Sequence, residues 1–371
     1  PAGGTLLYVV NDADYFLSHR GAIAERAIAC GWRVHVAVPE SPRSAAIAAL
    51  GARVHPLAMT RSGIRPAETA AAAASLYRLY RTLRPDVVHL IALKAIACGG
   101  LAAWAARVPR RVLAVAGLGH LASGDGWRSA LLQRCVRGVL PLAVGRHGCL
   151  IVQNEADGAR TGLGHRATLI PGSGVDLDAF TPAPLPPTPP FRVVMPARML
   201  WSKGVGEFVE AARILAARRG DIRLQLAGDS DPENPESVPR ERLRAWHAEG
   251  CIDWLGRRHD MPRVLADAHA VALPSYYGEG VPKCLLEAAA AGRPVVTTDL
   301  PGCRAAIEPE VTGVSVPPRD APALAAAIER LADNPELCAA YGRQARALAE
   351  RRFGLESVIR QHLRIYAGAA R

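Results

Sequence analysis

Short apolar runs alternate along the chain with longer segments in which apolar residues return at helical spacing. The pattern predicts strands at Leu6–Val10, Arg33–Val38, Arg53–Leu57, Asp86–Ile91, Arg111–Val115, Gly148–Val152 and Ala167–Ile170. Helices are predicted among them at Leu17–Cys30, Ser44–Leu50 and Pro66–Leu83. From Phe191 the alternation starts again, with strands Phe191–Met195, Ile222–Ala227, Ile252–Leu255, Ala270–Pro274 and Val295–Thr298. The helices of this second series are Gly204–Arg219, Pro239–Gly250, Met261–Ala268, Ala321–Ala332 and Pro335–Arg352. Strands alternating with helices in this way predict parallel sheets in doubly wound α/β domains.

Between the two series, Thr181–Pro190 holds six prolines in ten residues. Such a segment can be neither helix nor central strand, and it reads as a stiff extended linker. A chain of 371 residues also exceeds what one core usually serves. The expected division is a first domain over 1–180, a linker over 181–190, a second domain over 191–352 and a closing segment over 353–371.

Composition narrows the class. Half of the residues are hydrophobic and 21% charged, as in ordinary globular proteins. The net charge is +11, but the arginines lie singly along helices, with no basic run interleaved with aromatics. That disfavours a nucleic-acid module and leaves an anionic membrane surface or a merely arginine-rich composition. The eight cysteines show no metal-ligand or CxxC spacing and read as reduced, mostly buried residues of a cytosolic protein. Thr5–Val10 lacks the basic flank of a signal peptide, and charges interrupt every window of about 18 apolar residues, so no spanning segment is expected.

The densest chemistry lies in Glu279-Gly-Val-Pro-Lys-Cys-Leu-Leu-Glu287, set between two apolar strands. Read as strand, loop, helix and strand, Glu279 falls on the loop, Pro282 in the first helical turn and Glu287 a turn and a half further on. A helix amino end favours a diphosphate, and a carboxylate one turn inside can accept from a ribose diol. A plain crossover helix with two solvated acids accounts for the spacing equally well.

Glu279 to Glu287, followed by Ala291-Gly-Arg-Pro-Val-Val296 and Pro301-Gly302, resembles the donor-site signature of retaining glycosyltransferases of family 4. Met195-Pro-Ala-Arg198-Met-Leu-Trp-Ser-Lys203-Gly204 resembles that family's R…KG segment, and Leu169–Phe180 and Thr312–Asp320 resemble its segments before the linker and the closing helices. Asn11–Arg20 and Ala116-Gly-Leu-Gly-His120 are similar to the subgroup that extends lipid-linked saccharides in bacterial envelopes. The resemblance covers nearly the whole chain and implies two Rossmann-like domains facing across a cleft, the GT-B fold. It also implies that Leu355–Ala367 recrosses to pack on the first domain.

The resemblance further implies site roles. Arg198 and Lys203 would clamp the donor diphosphate and stabilise departing UDP. Glu287 would accept from the ribose, Glu279 would lie at the donor sugar as a catalytic group, and the backbone of Gly280, Val281, Pro282, Lys283, Cys284 and Leu285 would face the distal phosphate and sugar. Gly256 and Arg257 would hold the base. On the acceptor side stand Asn11, Tyr15, His19, Arg20, Lys94 and His120, with His120 also a catalytic candidate. Asn11-Asp12 replaces the glycines that many members carry after the first strand, which points to a polar contact with an acceptor sugar. Asp229-Ser-Asp231 has metal-ligand spacing but lies where the resemblance places no metal, so no metal and no cofactor beyond the UDP-sugar substrate are expected.

The resulting expectation is a retaining, metal-independent glycosyltransferase moving a hexose or N-acetylhexosamine from a UDP-sugar to a polyprenyl-diphosphate-linked or free saccharide in envelope-glycan synthesis. Its expected location is cytoplasmic, peripheral on the inner membrane through the basic amphipathic segment Trp127–Arg146, with no nucleic-acid partner. The rivals are a nucleotide-sugar epimerase on the same fold and a non-catalytic basic binding protein.

Overall fold

The structure is a computed structural model that describes residues 3–59, 66–117, 134 and 138–368. The first sheet contains β1 (Thr5–Val9), β2 (Arg33–Val38), β3 (Arg53–Pro56), β4 (Val87–Ile91), β5 (Arg110–Val115), β6 (Cys149–Val152) and β7 (Ala167–Leu169), in the order β3-β2-β1-β4-β5-β6-β7. The second contains β8 (Phe191–Pro196), β9 (Ile222–Ala227), β10 (Ile252–Gly256), β11 (Ala270–Leu273), β12 (Val295–Thr298) and β13 (Gly313–Val316), in the order β10-β9-β8-β11-β12-β13. Neighbouring strands are parallel, with Leu7 opposite Val88 in one sheet and Val271 opposite Val194 in the other. The fold is therefore two doubly wound α/β domains, as the alternation predicts.

Parallel strands covered on both faces must be apolar throughout. β1 and β4 are buried along their whole length, as is β11. Each fully buried aliphatic side chain of this kind stabilises the fold by about 2 kcal/mol. Strand order reverses between β1 and β4 and again between β8 and β11. At such points the loops diverge and open a crevice at the carboxyl ends of the strands. Asn11 and Lys94 follow one pair of strand ends, and Arg198 and Glu279 follow the other.

The domain boundary departs from expectation. The chain folds as two units, one running to Ser173 and resuming at Glu356, the other spanning Gly174–Leu355. The proline-rich segment is not a linker, because its carbonyls are fastened to the second unit. Arg293, 1% exposed, donates to the Pro184, Leu265 and Ala266 carbonyls, and His269 Nε2 lies 3.0 Å from the Pro186 carbonyl oxygen. The chain instead passes between the units at Ser173 and Leu355. There the Val175 N–H donates to the Phe353 carbonyl (2.8 Å) and the Leu355 N–H to the Val175 carbonyl (2.9 Å).

Helix Leu355–Ala367 belongs to the first unit. Its Tyr366 hydroxyl lies 2.8 Å from His89 Nδ1 and 3.1 Å from the Tyr8 hydroxyl, and its Glu356 pairs with Arg26 at 2.7 Å. Burial pushes its His362 imidazole down to about 3.

Candidate active site

The second unit's switch point is built by three loops. β8 ends at Pro196, and Met199–Lys203 then turns back, its 3-10 turn Trp201–Lys203 closed by Gly204 at φ +83°. A Cβ at Gly204 would stand 2.1 Å from the Pro274 carbonyl oxygen, so only glycine lets this turn approach the end of β11. That approach delivers Lys203 to the β11 loop, where its ammonium forms an ion pair with Glu279 Oε2. The other carboxylate oxygen of Glu279 accepts from the Ser275 hydroxyl. Ser275, fully buried, lies 3.1 Å from the Ser202 carbonyl, and Thr298 at the end of β12 donates to the Ser275 carbonyl at 2.5 Å. Lys203 and Glu279 are 20% and 10% exposed, so water screens their interaction weakly.

The next helix, Lys283–Ala290, aims its amino end at the same loop. Pro282 is its N-cap, with φ −64° and ψ 125°, and not a residue of the first turn as expected. No side-chain hydrogen bond caps this end, and the Leu285 N–H donates to the Pro282 carbonyl at 3.1 Å. The helix stops at Gly292, φ +67°, and Leu285, Leu286 and Ala288 seat its inner face in the core. Glu287, 15% exposed, stands 3.7 Å from the Lys283 ammonium. Burial raises its pKa, and the neighbouring Lys283 opposes the rise. Gly302 explains the Pro-Gly pair downstream, since a Cβ there would fall 1.8 Å from the Gly280 carbonyl oxygen and 2.3 Å from that of Glu279. Burial pushes the thiols of Cys284 and Cys303 up, that of Cys303 to about 11, so neither is a ready nucleophile.

Arg198 is half-exposed and forms an ion pair with Asp231 at 2.9 Å. Asp229 binds Arg240, whose hydrogen bonds hold its carboxyl below the usual range. Both carboxylates of Asp229-Ser-Asp231 thus face arginine, and no cluster of metal-ligating side chains occurs among the described residues. Gly256 ends β10 at φ +65° with open space where a Cβ would point, and Arg257 beside it is exposed. Arg319 stacks over Tyr276, 4.4 Å from the ring centre, on the loop leading to Glu279.

In the first unit, helix Ala13–Ala29 begins earlier than the predicted Leu17, because Asp12 caps it by accepting from the Tyr15 N–H at 3.1 Å. Asn11 is half-buried at the mouth, and Tyr15 and His19 stack with ring centres 4.1 Å apart. Arg20 corrects the expected acceptor set. It is 2% exposed and donates to the His19 carbonyl at 2.8 Å, so it lies inside the domain and not on an acceptor surface. Lys94 sits in helix Ala92–Ala105, 10% exposed and 3.7 Å from Glu68. Ala92 just before it takes φ +69°, a left-handed conformation for a non-glycine residue at the switch point. His120 lies outside the described residues, as does half of Trp127–Arg146; within that segment Arg134 and Leu142 are exposed.

Ser202, Ser275, Thr298 and Ala92 escape the sequence reading, as does the pairing of Asp231 with Arg198. Ser275 carried a signal, since it directly follows an apolar strand on the loop of Glu279. The partner of Arg198 carried none, because Asp231 is brought there only by the pairing of β8 with β9.

Residues 190–334 match the family model described as Glycosyl transferases group 1, and residues 5–140 match that described as Glycosyl transferase 4-like. The chain belongs to the group 1 glycosyltransferases and is an enzyme of that class, with the GT-B fold. EpsD of Bacillus subtilis, named as a glycosyltransferase, is 30% identical over 340 residues, covering 86% of this chain and 85% of that one. The N,N'-diacetylbacillosaminyl-diphospho-undecaprenol alpha-1,3-N-acetylgalactosaminyltransferase of Campylobacter jejuni is 28% identical over 320 residues, covering 82% and 83%. In fold, the chain is similar to HepE of Anabaena in complex with UDP, with a TM-score of 0.78 at 18% identity, covering 98% of this chain and 99% of HepE.

Proposed function

We propose that this enzyme is a retaining, metal-independent glycosyltransferase of family 4. It moves a sugar from a UDP-sugar to a lipid-linked or saccharide acceptor in bacterial envelope-glycan synthesis, beside the membrane. The observation that carries the reading is the pairing of Lys203 with Glu279 at the switch point, directly before the amino end of helix Lys283–Ala290. A diphosphate arriving there meets an ammonium already held in place and the positive end of a helix. Arg198 exchanges Asp231 for a phosphate oxygen, and Glu287 accepts from the ribose. Glu279, released from full pairing with Lys203, faces the anomeric carbon as it gains positive character. With no nucleophilic side chain assigned to the sugar's other face, the departing phosphate takes the acceptor proton and the acceptor attacks from the same side. Two relatives support the choice of substrates. HepE was crystallised with UDP and with UDP-glucose, and the Campylobacter relative is named for a diphospho-undecaprenol acceptor.

The test is thermal unfolding with a panel of UDP-, GDP- and ADP-sugars, followed by turnover of the stabilising donor with polyprenyl-diphosphate-linked saccharides. Ligand binding raises apparent stability by mass action, so the cognate donor should produce the largest shift. Conversion of the donor with no acceptor present would favour an epimerase. No shift with any nucleotide-sugar would overturn the donor assignment.

A further inference from the structure

The first unit has a pocket of about 280 Å³, whose lining includes Arg81, Arg84 and Arg107 with Tyr80, Pro85 and Pro109. It sits before the amino ends of β4 and β5, at the far end of the sheet from Asn11 and the loop after β1. Arg81 is in the last turn of helix Pro66–Leu83, Arg84 follows that helix, and Arg107 follows helix Ala92–Ala105 and its cap Ala106. Arg84 and Arg107 take φ values of +47° and +57°, where glycine is unstrained and arginine is not. Arg84 also precedes a proline, which restricts it further.

A cation at a helix carboxyl end complements the helix dipole, and that accounts for one arginine at each end. It does not account for three arginines lining one opening. Among the described residues none of the three has an acidic partner at salt-bridge distance, and the nearby Asp86 carboxylate is turned to the Thr5 N–H at 2.7 Å. Clustered, unneutralised arginines with forked donors match a tetrahedral oxyanion.

We propose that this pocket is a phosphate-binding site taking phosphate monoesters or diesters, separate from the donor and acceptor residues and independent of the glycosyl-transfer reading. The phosphate can come from solution or from an anionic lipid headgroup. Tyr77 and Trp104, 38% and 53% exposed, stand on the same two helices about one turn before Arg81 and Arg107.

The test compares the full chain with an Arg84→Gly/Arg107→Gly double variant. Glycine suits both left-handed positions, so the variant should fold with an equal or higher Tm in chloride buffer. One arm measures Tm in sodium phosphate against sodium chloride at matched ionic strength. The wild type should be stabilised by phosphate, and the double variant should need about tenfold more phosphate for the same shift. The other arm measures co-sedimentation with phosphatidylglycerol and phosphatidylcholine vesicles. A phosphate response or phosphatidylglycerol-selective sedimentation that is lost in the double variant supports the site, the first pointing to a soluble ligand and the second to a headgroup. Equal behaviour of the two proteins in both arms, or no response by the wild type in either, overturns it.

Discussion

Lys203 and Glu279, 76 residues apart in sequence, are joined as an ion pair by two loops that leave adjacent strands of the second sheet. Lys203 arrives from the turn closed by Gly204 and Glu279 from the loop that begins at Ser275. A resting enzyme with this pair closed holds its ammonium in register for an anion while keeping it neutralised. That arrangement limits the desolvation cost of a largely buried cation.

Removing either partner should therefore impair turnover more than folding. Lys203→Ala and Glu279→Gln are each expected to lower kcat/KM by about 10²–10³-fold, or roughly 3–4 kcal/mol, if both act on the developing charges. The double variant should lose less than the product of the single losses, because the groups act as a unit. Turnover within threefold of wild type in both single variants would remove them from the chemistry.

On the proposed reading, Asp231 competes with the donor for Arg198. Asp231→Asn should free the guanidinium and tighten binding of UDP by a few-fold, at most about 1 kcal/mol for so exposed a pair. Arg198→Ala should weaken UDP binding. Calorimetry on the two variants checks the pair, and a loss of affinity in Asp231→Asn would show that the aspartate positions the arginine and does not compete with it.

Chelation should leave activity intact. Asp229 and Asp231 are engaged by Arg240 and Arg198, and on the proposed reading Lys203 with a helix end supplies the positive charge that a divalent ion would otherwise bring. Initial rates with and without EDTA decide the matter. Activity lost to EDTA and restored by magnesium or manganese would count against this reading.

Gly204→Ala should damage stability and activity together. It places a side chain at φ +83° and against the Pro274 carbonyl, at a cost of roughly 1–3 kcal/mol for the conformation alone. A Tm unchanged within 1 °C, about the scale of a negligible stability change, would mean that the turn relaxes freely and does not fix Lys203.

Mild acid should weaken the first unit. His362 is held neutral, its imidazole lowered to about 3 by burial and then by the charge of Arg20, while His89 is lowered in the same direction. In the unfolded chain a histidine protonates near 6.5. Between those values the unfolded chain binds the proton and the folded one does not. The contribution is thus complete above pH 6.5 and is lost as pH falls toward 3, at about 1.4 kcal/mol per pH unit for each such histidine. Denaturant unfolding between pH 7 and pH 5 should show this slope, reduced in His362→Gln; a flat profile would contradict it.

The elements that carry the donor-side candidates were legible because they are local. Glu279 to Glu287 fits in one loop and helix, and Lys203-Gly204 in one turn, so spacing predicts the elements, while the roles come from the family resemblance. What strand pairing assembles was not legible. Asp231 meets Arg198, and Ser275 meets Ser202, only because β9 and β11 flank β8. Arg20 shows a different limit. Beside Tyr15 and His19 it reads as a polar surface residue, yet helical spacing turns it inward among Tyr8, His89 and His362. Six prolines in ten residues correctly exclude helix and sheet, but they do not reveal that Arg293 and His269 fasten the segment to one side.

The passage of the chain at Ser173 and Leu355 also bears on its synthesis. Every residue of Gly174–Leu355 has been made before the helix bearing Tyr366 appears, although that helix completes the earlier unit. Completion of the first unit therefore waits for synthesis of the second, unlike the usual amino-terminal-first order. The second unit can close while Tyr8 and His89 still wait for the phenol that will cover them. A nascent chain arrested just after Leu355 should therefore leave the Tyr8 and His89 side of its older half uncovered, and protease or dye probes of that arrested chain would read it out.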